Sequence, residues 1–206
     1  MGRLRQGRPG AVGAAAQEQP QPQNRREQRR EDRQQFGIGG SAERYKMREK
    51  MFSIGDDFWI ENEQGQRMFK VNGKLLRVRD TLIFEDANGH ELVHIQSRIV
   101  DVRDRVKLER KGGVSAVLIK DLINVIRDDF ILKFDDGQEI HLTGNFLDHE
   151  YSFQKGRDKI GEASKKWFRI ADVYGVQIEP GSDVIMLLAA TVAMDQMSHD
   201  KGAVDV

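Results

Sequence analysis

Residues 78–95 read Val78-Arg79-Asp80-Thr81-Leu82-Ile83-Phe84-Glu85-Asp86-Ala87-Asn88-Gly89-His90-Glu91-Leu92-Val93-His94-Ile95, one of four copies of a pattern that recurs every 24 residues. Asp56, Asp80, Asp104 and Asp128 mark the period. Nine residues after each stands a glycine: Gly65, Gly89, Gly113 and Gly137. Two residues before each Asp lies Ile54, Val78, Val102 or Ile126, and in the last three copies Arg79, Arg103 or Arg127 precedes it directly.

Each copy is the length and pattern of one β-hairpin. Phe58/Ile60, Leu82/Phe84, Val106/Leu108 and Phe130/Leu132 follow the Asp at a spacing of two, which lines one face of a strand. Gln64-Gly65, Asn88-Gly89, Gly112-Gly113 and Asp136-Gly137 suit tight turns, because glycine accepts positive φ. The chain returns through residues 68–71, 92–95, 116–119 and 140–142. Four such hairpins predict an eight-strand antiparallel meander with glycine tips at one end and Asp corners at the other. A meander of this length tends to close into a barrel, since closure removes exposed edges. The acids of the repeat then read as corner residues that accept backbone N–H groups or pair with the neighbouring Arg.

Beyond the fourth copy, Tyr151 and Phe153 alternate towards a turn near Gly156. Trp167-Phe168-Arg169-Ile170 and Tyr174-Gly175-Val176-Gln177-Ile178 both have strand character, and Pro180-Gly181 ends the β region. Ser182 or Asp183 can then cap a helix over about 183–197. Its apolar run, residues 184–194, has only Thr191 to interrupt it. A helix apolar all round must be enclosed. Eleven residues at ~1.5 Å each reach about 17 Å, and a bilayer core is ~30 Å thick. The β-structure is therefore expected to enclose the helix.

The first 40 residues are different in kind. They carry eight arginines against four acids, a balance of +4 that leaves −4 on the remainder of a chain of zero net charge. Rich in Gln, Arg, Gly, Ala and Pro, they offer too little apolar surface to offset ordering entropy and are expected to form a disordered arm. The domain is expected over 41–198, with a short tail at 199–206. No secretory signal or membrane-spanning run is read, and the absence of cysteine excludes disulfides and thiolate metal sites. A cytoplasmic protein, peripheral to the membrane at most, is the expectation.

Tyr45-Lys46-Met47-Arg48-Glu49-Lys50, Gly55-Asp56-Asp57-Phe58-Trp59-Ile60, Val71-Asn72-Gly73-Lys74-Leu75-Leu76 and Asp172-Val173-Tyr174-Gly175-Val176 resemble the LURP-one-related family, over about residues 43–198. That family is allied in fold to the tubby C-terminal domain and the phospholipid scramblases. The resemblance implies a mostly β protein, a closed antiparallel barrel of about twelve strands around a C-terminal apolar helix. It also implies that no catalytic residue set is to be transferred; tubby domains bind phosphoinositides.

The residues themselves point away from catalysis. No nucleophile elbow or phosphate-cradling glycine loop is present. His90 and His94 share a strand face about 13 Å apart, too far to share a metal, and only His141 and His149, with Asp148 and Glu150, could converge at a turn. No cofactor and no metal are expected. Two basic groups suit an anionic headgroup: Lys107, Arg110 and Lys111 in the third hairpin, and Lys165, Lys166 and Arg169 around Trp167. The expected function is thus a non-catalytic module binding anionic lipid at a membrane surface. The alternative is a protein-interaction or structural module without a lipid ligand. Nucleic acid is not expected for a domain of negative balance, and no oligomeric state is implied.

Overall fold

Along the strand Asp129–Phe134, Phe130, Leu132 and Phe134 are buried while Asp129, Ile131 and Lys133 point the other way, and the same alternation runs through most of the strands. The computed structural model describes residues 42–48, 57–72, 81–98, 105–121, 129–146, 148–167 and 173–199. Twelve strands follow in chain order: β1 (Glu43–Arg48), β2 (Phe58–Asn62), β3 (Arg67–Asn72), β4 (Thr81–Asp86), β5 (Glu91–Arg98), β6 (Arg105–Arg110), β7 (Ala116–Asp121), β8 (Asp129–Phe134), β9 (Glu139–Asn145), β10 (Glu150–Lys155), β11 (Asp158–Ser164) and β12 (Val173–Ile178). Each pairs antiparallel with the next, and β1 closes the ring between β12 and β2. The four hairpins read from the repeat are β2–β3, β4–β5, β6–β7 and β8–β9.

Three of the four glycine tips share one geometry. Gly65, Gly89 and Gly137 all have φ near +80° (+77°, +85° and +88°). Each donates its N–H to the carbonyl three residues earlier, on Asn62, Asp86 or Phe134. This is the three-residue loop that ends on a left-handed glycine. Side chains reinforce it: Asn62 Oδ1 accepts from the amides of Gln64 and Gln66, and Asp86 Oδ1 from those of Asn88 and His90. The third tip departs from the period. Its left-handed residue is Gly112 (φ +72°) rather than Gly113, and Ser115 Oγ takes the Arg110 amide there.

The helix α1 (Val184–His199) fills the barrel and runs two residues past its expected end. Every side chain from Met186 to Met197 is buried, with Leu187, Leu188, Ala189 and Ala190 wholly inaccessible. α1 lies against β5, β6 and β12. Asp183 caps it, accepting the Met186 amide on Oδ1 and the Arg110 guanidinium on Oδ2. Thr191, the one hydroxyl in the apolar run, satisfies itself on the Leu187 carbonyl 3.0 Å away.

Trp167 departs from the strand expected for it. It ends a single 3-10 turn, Lys165–Trp167, because Ser164 Oγ accepts the Lys166 amide and bends the chain out of β11. The expected arm, the residues after 199, the corner acids Asp56, Asp80, Asp104 and Asp128, and Arg79, Arg103, Arg127 and Arg169 lie outside the described residues.

Candidate functional site

The topology places the two basic groups read from the sequence on different parts of the barrel. Arg110 and Lys111 sit at the glycine-tip end of β6, and Lys107 on its outer face. Lys165 and Lys166 follow β11, which runs towards the opposite end, and five strand positions separate β11 from β6 around the ring. The two groups stay apart, and Arg169 lies outside the described residues. Acids also occupy most of them. Lys107 lies 3.5 Å from Glu109, Lys166 lies 2.7 Å from Glu150, and Arg110 is committed to the helix cap at Asp183. Lys111, with 73% of its side chain exposed, reaches only the far limit of an ion pair with Glu91, at 4.0 Å. On the same turn stands Val114, 44% exposed and with Met68 one of two exposed large apolar side chains among the described residues.

The polar group that the sequence reading missed is inside the barrel. Tyr174 on β12 donates to Asp195 of α1 at 2.5 Å. His149, in the turn before β10, stacks on the Tyr174 ring with centroids 4.2 Å apart and planes 8° from parallel. Its Nδ1 lies 3.6 Å from Asp195 Oδ1. A left-handed backbone at His149 (φ +48°) aims the ring inward, and its amide is held by the Phe146 carbonyl. Tyr151 completes the group: burial first, and then the Asp195 charge, push both phenols well above their ordinary pKa. The residue types are those of proton transfer, yet His149, Tyr174 and Asp195 are all more than nine-tenths buried. The arrangement ties the β9–β10 turn, β12 and the C-terminal part of α1 together.

A metal group around His149 does not assemble. His141 points outward beside Glu139, Asp148 bonds Asn145, and Glu150 serves Ser164 and Lys166, while His149 faces the core. Among the described residues no three His, Cys, Asp or Glu side chains are placed to share a metal ion. Sequence signals for the buried group were slight: an acid ending an apolar run, and a tyrosine in a strand buried along its whole length.

A family model described as LURP-one-related matches residues 43–195. No curated protein matches the chain. Among solved structures, the X-ray structure of a protein from Arabidopsis thaliana is similar in fold, with a TM-score of 0.54 at 16% identity, over 76% of this chain and 91% of that one.

Proposed function

The chain belongs to the LURP-one-related family across residues 43–195, and from that premise we propose that it is a non-catalytic binding module that meets anionic lipid headgroups with the outside of a filled barrel. The packed helix supports the first half of this reading: α1 occupies the interior where a barrel of this kind would hold a small ligand, so contact falls to the outer surface. The observation that carries the lipid half is the β6–β7 tip, where exposed Val114 stands beside exposed Lys111. An exposed aliphatic side chain and an exposed cation on one turn suit the headgroup layer, the cation adding about 1 kcal/mol near an anionic surface. Lys107, Arg110 and Lys166 contribute less, because each brings an acid that the same surface repels. No helix among the described residues is long and apolar enough to cross a membrane, and the association proposed is peripheral, on the cytoplasmic side.

Sedimentation with phosphatidylserine-containing and with pure phosphatidylcholine vesicles, at low and high salt, tests the reading. Binding that needs the anionic lipid, weakens with salt and is lost in the Lys111→Glu, Val114→Asp double variant is expected. Equal or absent binding to the two vesicles would overturn it. A protein partner is the second reading, favoured by the pairing of Lys107, Arg110 and Lys166 with acids within the chain. Recovery of one stoichiometric partner without vesicle binding would establish that reading in place of the first.

A further inference from the structure

Among the described residues, the β1–β2 seam has the shortest register in the barrel wall. β1 is registered with β12 over all six of its residues, from Glu43↔Ile178 to Arg48↔Val173, but with β2 only at Tyr45↔Asn62 and Lys46↔Glu61. The cause is local. β2 ends at Asn62, where its own side chain and the left-handed Gly65 turn the chain back into β3, while β1 continues outward to Glu43. On the β2 side, Glu43 and Arg44 therefore have no registered strand partner among the described residues.

At this place a cavity of about 350 Å³ opens to solvent, lined by Glu43, Arg44 and Tyr45 on one side and Asn62, Glu63 and Met68 on the other. The volume falls in the lower part of the range for ligand sites, roughly 300–1,000 Å³. Its walls are chemically mixed. Met68 offers an exposed thioether, and buried Tyr45 presents its hydroxyl to Glu43 Oε2. Arg44 is drawn to Glu63 Oε1 at 3.3 Å and to Gln177 at 2.6 Å. These contacts use one oxygen of each carboxylate and leave the other.

We propose that the seam docks an extended, basic segment of a partner protein, laid along the open edge of β1 with a Lys or Arg head against the carboxylates of Glu43 and Glu63. An unpaired strand edge recognises extended backbone whatever its sequence, and flanking side chains select the residue type. Two acids against one arginine select a cation here. They also disfavour anionic lipid, so this surface is distinct from the β6–β7 tip and holds whether or not that tip meets a membrane.

The test uses the full chain and a capped hexapeptide alternating valine with lysine and arginine, beside the same peptide with glutamate in place of each cation. Titration followed by amide chemical shifts is expected to move residues 42–45 and 62–64 with the basic peptide and not with the acidic one. The Glu43→Gln, Glu63→Gln double variant should keep its unfolding midpoint and lose about ten-fold in affinity, the worth of two exposed charge contacts. Equal binding of both peptides, no binding at millimolar concentration, shifts confined to another surface, or unchanged affinity in the double variant would each overturn the proposal. Self-association of the chain that the double variant abolishes, without peptide binding, would give the seam to a second copy and overturn it equally.

Discussion

Tyr174 and Asp195 join the last strand of the wall to the helix that the wall surrounds, through a 2.5 Å hydrogen bond between two side chains that solvent does not reach. The bond is 21 residues long in sequence and spans the interior of the closed ring. Tyr174→Phe keeps the ring that stacks on His149 and removes only the donor. The expected cost is about 2 kcal/mol, the usual worth of a hydrogen bond to a charged group, read as a lower midpoint in urea with an unchanged slope. Asp195→Ala should cost more, since it leaves the Tyr174 hydroxyl buried without an acceptor. The two changes together should cost less than their sum.

All three tyrosines of the chain resist ionisation. Burial is the largest cause at Tyr45, with its bond to Glu43 adding to it, and burial followed by the Asp195 charge acts at Tyr151 and Tyr174. The sign follows from linkage: a phenol whose folded pKa lies above its unfolded value of about 10 holds its proton more tightly when folded. Its contribution is complete below pH 10 and is lost as pH rises beyond it. A titration at 295 nm should therefore show no phenolate while the barrel is folded at pH 10, and all the absorbance should appear with alkaline unfolding. A step near pH 10 in the native protein would contradict it, a step of one tyrosine at one of the three sites and a step of two or more within the buried cluster itself.

Two adjacent glycines of the third hairpin should fail for different reasons. Gly112 has open space around it and a left-handed backbone, so Gly112→Ala costs about 1 kcal/mol in conformational strain alone. At Gly113 a Cβ would come within 2.7 Å of Arg110 Cδ, and the arginine must give way. That arginine holds Asp183 at the start of α1. The cost of Gly113→Ala should vanish in an Arg110→Ala background, whereas that of Gly112→Ala should persist. A six-protein urea series measures both, and equal persistence would sever the proposed link between the turn and the helix cap.

Why the meander was legible in the sequence, and the buried polar group was not, follows from the range of each signal. Strand alternation and turn glycines act within one copy of 24 residues, so Leu82, Phe84, Gly89, Val93 and Ile95 disclose a hairpin by themselves. The repeated corner aspartates lie outside the described residues; the side chains seen holding turns include Asp86 and Asp136 and the amide oxygen of Asn62. His149, Tyr174 and Asp195 lie far apart in the chain and meet only because β12 and the turn before β10 face the same part of α1. No local pattern reports such a meeting. The two basic groups show the same limit: spacing along the chain does not say that β6 and β11 stand five positions apart in the ring.

The helix supplies the sharpest test of the architecture, because its surroundings differ from those of an ordinary amphipathic helix. Leu187, Leu188, Ala189 and Ala190 are consecutive and all inaccessible. At 3.6 residues per turn, four consecutive positions sample the whole circumference. On a helix packed by one face, at least one of four aspartate substitutions would point to solvent and cost little. Here each buries a charge with no partner, a loss of at least about 3 kcal/mol against a total stability of roughly 5–15 kcal/mol for a domain. All four single variants should lose most of their cooperative thermal unfolding or fail to accumulate as folded protein. Leu188→Ala, which removes bulk without adding charge, should fold with a loss of about 2–5 kcal/mol. One tolerant aspartate among the four would mean that α1 has a face open to water, and that the barrel does not close around it.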